Sequence, residues 1–323
     1  DETRLASGHK AGVVKLWDLR SREHLRTFGR HAKAVRSVAF SPDGQTLASG
    51  DVSDSLRLWD ISSGEQIAAM VGRQAAFTPD GKLLAAIGRT HLVQLWNVSN
   101  NTRPQPLPGI KLRDSVTDLA FANNRLLRLA YETGQWETCD VSRGQTVGNL
   151  NGEQTHPSAV ALSAHATYFA AATPSDDASV LQGEANDAPL GTSAVQLWQV
   201  QEDELDLAPV TTTDWLMSVV LGRDGENLAM ATGRFSPPFA QAGGKVCRVT
   251  VETGERRLLT DDQVDNAKVF HWLCLALSPD NSWLACGGYS SDERGGTEGV
   301  VVLQPTQSDS SDPIVLRHGD WVR

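Results

Sequence analysis

Apolar residues recur at alternate positions along this chain in short runs, and each run ends in a polar turn. The clearest unit reads Val35-Arg36-Ser37-Val38-Ala39-Phe40, then Ser41-Pro42-Asp43-Gly44, then Leu47-Ala48-Ser49-Gly50, then Leu56-Arg57-Leu58-Trp59-Asp60, with Ser63-Gly64-Glu65 after it. Period-two alternation predicts strands with one face buried. Pro-Asp-Gly and Ser-Gly-Glu supply the conformations that tight turns need. Each unit therefore reads as four short strands joined by tight turns.

The unit repeats. A partial copy precedes it in Leu5-Ala6-Ser7-Gly8 and Val13-Val14-Lys15-Leu16-Trp17-Asp18, and another follows in Ala75-Ala76-Phe77-Thr78-Pro79-Asp80-Gly81, Leu83-Leu84-Ala85-Ala86 and Val93-Gln94-Leu95-Trp96-Asn97. Trp17 to Trp59 spans 42 residues and Trp59 to Trp96 spans 37, which is the period of a propeller blade. Weaker copies keep the phase: Leu119-Ala120-Phe121 leads to Cys139-Asp140, Val160-Ala161-Leu162-Ser163 to Leu197-Trp198, Val219-Val220-Leu221 to Val246-Cys247-Arg248-Val249, and Leu275-Ala276-Leu277-Ser278 to Val300-Val301-Val302-Leu303. Cys139 takes the place of the Trp. On the third strand a large aromatic can wedge between neighbouring sheets. One such sheet cannot bury both faces alone, whereas a circle of them can, leaving only short, protected edges.

These residues resemble the WD-repeat (WD40) family of β-propellers, its bacterial members in particular. The Trp-Asp signature stands at Trp17-Asp18 and Trp59-Asp60, relaxes at Trp96-Asn97 and Trp198-Gln199, and is lost in the last two units. The resemblance is strong over residues 1–97 and weaker, but in register, beyond. The family's Gly-His before the first strand is reduced to Arg30-His31, and the Asp of its blade hydrogen-bond network is matched by Ala11 and by Ser53 (beside Asp54). Incomplete networks are therefore expected. The resemblance implies an all-β, seven-bladed propeller of four-stranded antiparallel blades, a single domain over residues 1–323. Its blades fall near 1–28 with 318–323, then 31–70, 71–108, 110–150, 151–210, 211–260 and 261–317. Asp320-Trp321-Val322-Arg323 matches the start of a first strand, Ala34-Val35-Arg36, so the expectation is a ring closed by the C-terminal segment, within a larger parent protein. A fragment of a longer array is the competing reading.

Composition narrows the function. Hydrophobic residues make up 40% and charged ones 21%, as in an ordinary soluble globular chain. The net charge of −10 argues against a nucleic-acid backbone or an anionic membrane as the main partner. No apolar run approaches the roughly 18 residues of a membrane helix, and no signal peptide is visible at Asp1-Glu2-Thr3-Arg4. Cys139, Cys247, Cys274 and Cys286 form no C-x-x-C pair, so neither a disulfide framework nor a zinc site is expected, and a cytoplasmic location fits.

Catalytic patterns are missing: the chain has no G-x-S-x-G, no Walker loop and no H-E-x-x-H. No cofactor and no metal are expected. His271 and Cys274 are three apart, but on a strand odd spacing puts them on opposite faces. Asp176-Asp177 with Glu184 to Asp187 lacks the ordered spacing of a calcium loop. Gly243-Gly244 and Gly295-Gly296 fall in hairpin loops, not between a strand and a helix, so they do not cradle a phosphate.

The blades differ from one another in one way. The loop from second to third strand is short early in the chain, as at Asp51 to Asp54 and Arg89 to His91. It is long in the last three units: Thr173 to Ser193, Thr232 to Gly244 and Gly287 to Glu298. The residue just before each first strand, aligned on Val38, reads Ala34, Val71, Ser115, His156, Trp215, His271 and, by closure, Trp321. Aromatic and His side chains thus accompany the long loops, and aromatic anchors favour protein interfaces. The expected partner site is His156, Trp215, His271 and Trp321 with Phe235, Phe239 and Tyr289 from the loops. The expected function is a non-catalytic scaffold or sensor that binds a protein or peptide, the docking arm of a larger protein. The alternative is a small-molecule or enzymatic propeller, with His156 and His271 as acid or base at the channel mouth.

Overall fold

A computed structural model describes residues 3–317 apart from 100–102, 152–158, 164–167, 176–191, 200–209, 213–214, 223–226, 234–243, 251–255, 261–262, 265–266, 279, 292–296 and 307–312. Its strands form seven sheets. The first holds β1 (Arg4–Gly8), β2 (Val14–Asp18) and β3 (His24–Thr27), and the second β4 (Val35–Phe40), β5 (Thr46–Asp51), β6 (Ser55–Asp60) and β7 (Gln66–Val71). The third holds β8 (Gln74–Phe77), β9 (Leu83–Ile87), β10 (Leu92–Asn97) and β11 (Gln105–Lys111), and the fourth β12 (Val116–Phe121), β13 (Leu126–Tyr131), β14 (Trp136–Asp140) and β15 (Gln145–Asn151). The fifth holds β16 (Ala159–Leu162), β17 (Tyr168–Ser175), β18 (Thr192–Gln199) and β19 (Val210–Thr212), and the sixth β20 (Trp215–Leu221), β21 (Asn227–Gly233), β22 (Gly244–Thr250) and β23 (Arg256–Thr260). The seventh holds β24 (Gln263–Val264), β25 (Ala267–Leu277), β26 (Trp283–Ser291), β27 (Thr297–Pro305) and β28 (Ile314–Arg317). The first four sheets make one compact unit and the last three another.

Every sheet is an antiparallel meander of consecutive strands, the blade of an all-β propeller. Six blades are complete. The first sheet has three strands among the described residues, so the expected seven complete blades are corrected to six, five of four strands and the last of five, and residues 318–323, expected to close the first blade, lie outside the described residues.

The apolar alternation is explained by where the core sits: each hydrophobic cluster lies between two successive blades. Leu47, Trp59 and Val35 of the second blade pack on Val14, Leu16 and Phe28 of the first, while its other face, through Leu56 and Leu58, meets Leu84 and Trp96 of the third. Ile87, Val93 and Leu95 meet Leu119, Phe121 and Leu129. In the second unit Ala170, Ala172 and Val195 pack on Leu216, Leu228 and Met230, and Ala229, Ala231 and Val246 on Trp272 and Val300. Burying a side chain of this size contributes about 1.5–3 kcal/mol, which lets blades with degenerate signatures hold their places. The recurrent glycine of Leu-Ala-Ser-Gly follows from the same packing. A Cβ on Gly50 would lie 2.3 Å from the Arg73 carbonyl oxygen of the next blade, and one on Gly8 would lie 2.4 Å from Val35.

The Trp position drifts in the last blade. Leu47 pairs with Trp59, and the corresponding Leu284 pairs with Gln304. There the indole comes from the first strand instead: Trp272 pairs with Gly288 and is fully buried. First strands also share a β-bulge, at Val35/Ser37, Val116/Asp118, Leu216/Ser218 and Trp272/Cys274. A bulge adds one residue and breaks the period of two. The expectation that His271 and Cys274 lie on opposite faces is therefore corrected: their partners are Tyr289 and Gly287, two apart, so the simple alternation does not hold between them.

Candidate functional site

In each blade the first strand starts, and the second ends, at what we term the upper edge, which also carries the turn into the third strand. The lower edge carries the Pro-Asp-Gly type turns. The best-defined polar constellation lies at the upper end of the second blade. The Trp59 indole N–H donates to Ser49 Oγ at 2.7 Å, Ser49 Oγ lies 2.7 Å from His31 Nε2, and His31 Nδ1 lies 3.4 Å from Asp51 Oδ2. Asp51 Oδ1 accepts from the Ser53 N–H at 2.8 Å, the Ser53 hydroxyl at 2.7 Å and the Ser55 N–H at 3.1 Å. One proton arrangement serves the whole chain: Trp59 N–H to Ser49, Ser49 O–H to His31 Nε2, and His31 Nδ1–H towards the carboxylate. The expectation of an incomplete network is thus corrected for the second blade. The hairpin register puts Asp51, not Ser53, in the Asp place, and in the first blade it puts His9, not Ala11, there. Counting back eight residues from each Trp would have found both.

Ser, His and Asp in this order have the connectivity of a hydrolytic triad. The environment removes that chemistry. Ser49 has no exposed surface, and its oxygen already accepts the indole N–H. Burial pushes the His31 ring below its ordinary value, with Asp51 pulling the other way. Asp51 is held below the usual carboxylate range: burial raises it, and the hydrogen bonds from Ser53 and Ser55 outweigh that. The constellation locks a loop to a strand. The first blade keeps part of it, with the Trp17 indole donating to Ser7 at 3.0 Å and His9 buried. In the fourth blade Tyr131 takes the Asp place and donates its hydroxyl to buried Glu137, burial and Glu137 pushing that hydroxyl well above its usual range. Among the described residues no group of His, Cys, Asp and Glu could hold a metal ion.

In the second unit the upper edge grows taller. By register Thr173, Thr232 and Gly288 occupy the place of Asp51, and the hairpins continue past each. Ser175 pairs with Thr192, Gly233 with Gly244, and in the seventh blade Tyr289, Ser290 and Ser291 pair with Gly299, Glu298 and Thr297. There β25 keeps pace, with Lys268 opposite Ser291, and β24 adds a fifth strand. The long loops thus start as β-ribbons. The register brings His271 and Tyr289 together as direct cross-strand partners and sets Trp215 opposite Gly233. The side chains of Trp215, His271 and Tyr289 lie outside the described residues, as do His156, Phe235, Phe239 and Trp321 entirely.

The sequence model of the family "WD domain, G-beta repeat" (WD40) matches residues 22–60 and 267–293. The chain is 39% identical over 69 residues to the U3 small nucleolar RNA-associated protein 15 homolog of Xenopus tropicalis, a match covering 21% of this chain and 13% of that protein. It is 37% identical over 62 residues to the guanine nucleotide-binding protein subunit beta of Oryza sativa subsp. indica, covering 19% and 16%, and 32% identical over 66 residues to the Protein LST8 homolog of Drosophila melanogaster, covering 20% and 21%. Less than a quarter of each relative is spanned. Among solved structures, a chain of Kuenenia stuttgartiensis hydrazine synthase superposes with a TM-score of 0.62 at 17% identity, covering 82% of this chain and 75% of that one. At that identity the likeness is one of fold.

Proposed function

The chain belongs to the WD-repeat (WD40) family of β-propellers, and from that premise we propose that it is a non-catalytic scaffold that binds a protein or peptide through the upper edge of its second unit, as the docking or regulatory arm of a larger protein. The observation that carries this is the raised, five-stranded seventh blade with the lengthened hairpins before it. Rigid ribbons present loop residues in fixed relation, the usual setting for binding. His156, Trp215, His271, Trp321, Phe235, Phe239 and Tyr289 are the residues proposed to make the contact. The names of two relatives, a subunit and an associated protein, support a role in assemblies. The net charge of −10 favours protein over nucleic acid as the principal partner, and four free cysteines fit a cytoplasmic setting.

The same proposal takes the C-terminal residues as the missing first strand of the first blade. Arg317-His318 and Val322-Arg323 repeat Arg30-His31 and Val35-Arg36 at the same spacing. His318 would then stand to Ser7 and Trp17 as His31 stands to Ser49 and Trp59. Deleting residues 318–323 should lower the melting temperature by several degrees, and no change would refute the closure.

The binding reading is tested by comparative affinity capture with the full chain, Trp215→Ala and Asp80→Ala. A partner retained by the full chain and by Asp80→Ala, on the lower edge, but lost by Trp215→Ala is the expected result. Equal retention by all three would overturn the assignment.

A further inference from the structure

The net charge hides a division. Residues 1–152 carry 19 Lys and Arg against 15 Asp and Glu, a net of +4, and residues 153–323 carry 10 against 24, a net of −14. Within the first unit the excess cations gather on the upper edge. Arg30 and Lys33 lie before β4, Arg89 follows β9, Lys111 ends β11 and Arg113 follows it, and all five are exposed. Lys10 and Arg36 lie beside the first pair. The carboxylates exposed or half-exposed there are few, Asp54, Asp114 and Glu132 beside the loops and Asp118 on β12. Asp54 accepts the Arg89 backbone N–H, and Asp118 accepts from Gln74.

The lower edge of the same unit is balanced. There Lys82 pairs with Asp80, and Arg125 and Arg143 both reach Asp140. None of the five upper cations makes an ion pair among the described residues. Two are instead held by backbone carbonyls, which fix a guanidinium without neutralising it. Arg30 Nε donates to Ala11 O at 2.7 Å, and an Arg89 terminal nitrogen donates to Val52 O at 3.0 Å. Between the two groups Val71 is 49% exposed at the end of β7.

We propose that this edge of the first unit is a docking surface for an acidic protein segment, a run of Glu or Asp carrying an apolar residue that covers Val71. The inference deepens the protein-binding reading and stands on a different surface from the second-unit site. An acidic peptide fits better than nucleic acid because no exposed Trp, Tyr or Phe lies between the cations among the described residues, and the imidazole of exposed His91 beside Arg89 is a small stacking platform for bases.

The test uses the full chain and three probes by fluorescence anisotropy: a labelled ten-residue oligoglutamate with one Leu, an oligolysine of the same length and opposite charge, and a single-stranded ten-nucleotide DNA. The oligoglutamate should bind, and binding should weaken about tenfold as salt rises from low to several-fold physiological ionic strength, because exposed charges are screened over about 8 Å. A triple variant, Arg89→Glu, Lys111→Glu and Arg113→Glu, should weaken it at least tenfold. The lower-edge control, Arg20→Glu, Lys82→Glu and Arg103→Glu, changes the net charge equally and should leave it within twofold. Both variants are checked by circular dichroism and melting. Equal effects of the two variants, no binding of oligoglutamate, or tighter binding of the DNA would each overturn the proposal. Failure here leaves Trp215-dependent capture untouched, so the two readings fail separately.

Discussion

Replacing Ser49 by Ala removes one oxygen atom, yet the structure makes it costly. Ser49 is fully buried, accepts the Trp59 indole N–H at 2.7 Å and faces His31 Nε2 at 2.7 Å. Trp59 is 2% exposed and His31 also 2%, so neither orphaned group can turn to water. Each unsatisfied buried group costs about 1–3 kcal/mol, which puts Ser49→Ala at about 2–5 kcal/mol. That is a large share of a total margin of about 5–15 kcal/mol. Equilibrium urea unfolding followed by fluorescence should show the midpoint falling with an unchanged slope. The mechanism has a sharper signature in a double-mutant cycle. In a Trp59→Phe background the indole donor is already gone, so Ser49→Ala should cost at least about 1 kcal/mol less there than in the native chain. A cost below about 0.5 kcal/mol in the native background, or an equal cost in both, would refute the hydrogen-bond account and leave only packing.

The His31 ring is held below its ordinary value of 6.5 by burial, with Asp51 opposing and Arg57 adding to the lowering. The unfolded chain therefore takes up a proton at a pH where the folded chain does not, and stability falls as pH drops below about 6.5. His31→Gln should flatten that slope between about pH 7 and 5 in melting curves, and an unchanged slope would locate it elsewhere. The contribution of Asp51, depressed below 3.8, is lost only on further acidification. Burial pushes the Cys139 thiol up to about 12 and raises Cys286, while Cys247 and Cys274 are half-buried. Alkylation of the native chain at pH 8 read by peptide mass spectrometry should label Cys247 and Cys274 first, and early labelling of Cys139 would contradict its packing.

Strand order and blade phase were legible in the sequence because tight turns fix hairpin register. Leu47 opposite Trp59, Leu127 opposite Cys139 and Phe169 opposite Trp198 all follow from alternation plus turn length. The network was misread for a local reason. Ser53 and Asp54 sit in the turn proper, whereas the buried carboxylate comes from Asp51, the last residue of the strand. In the seventh blade the wedge moved from β27 to β25, which no motif centred on the third strand can show, since Trp272 occupies the place Val35 holds in the second blade. The bulge beside it could not be counted from alternation either, because an extra residue leaves the apolar pattern almost unchanged. Of the candidate site, the sequence showed which loops lengthen; the cross-strand pairing of His271 with Tyr289 needed the register. The basic upper edge of the first unit was hidden by an acidic total.

The central claim, that partners engage the raised upper edge of the second unit, is tested most directly by hydrogen exchange of the full chain with and without the captured partner. Exchange should slow in the stems at 215–221, 227–233, 267–277 and 283–291. It should stay unchanged in the lower-edge turns at 41–45 and 78–82. Protection confined to those turns, with the stems exchanging as in the free chain, would contradict the account.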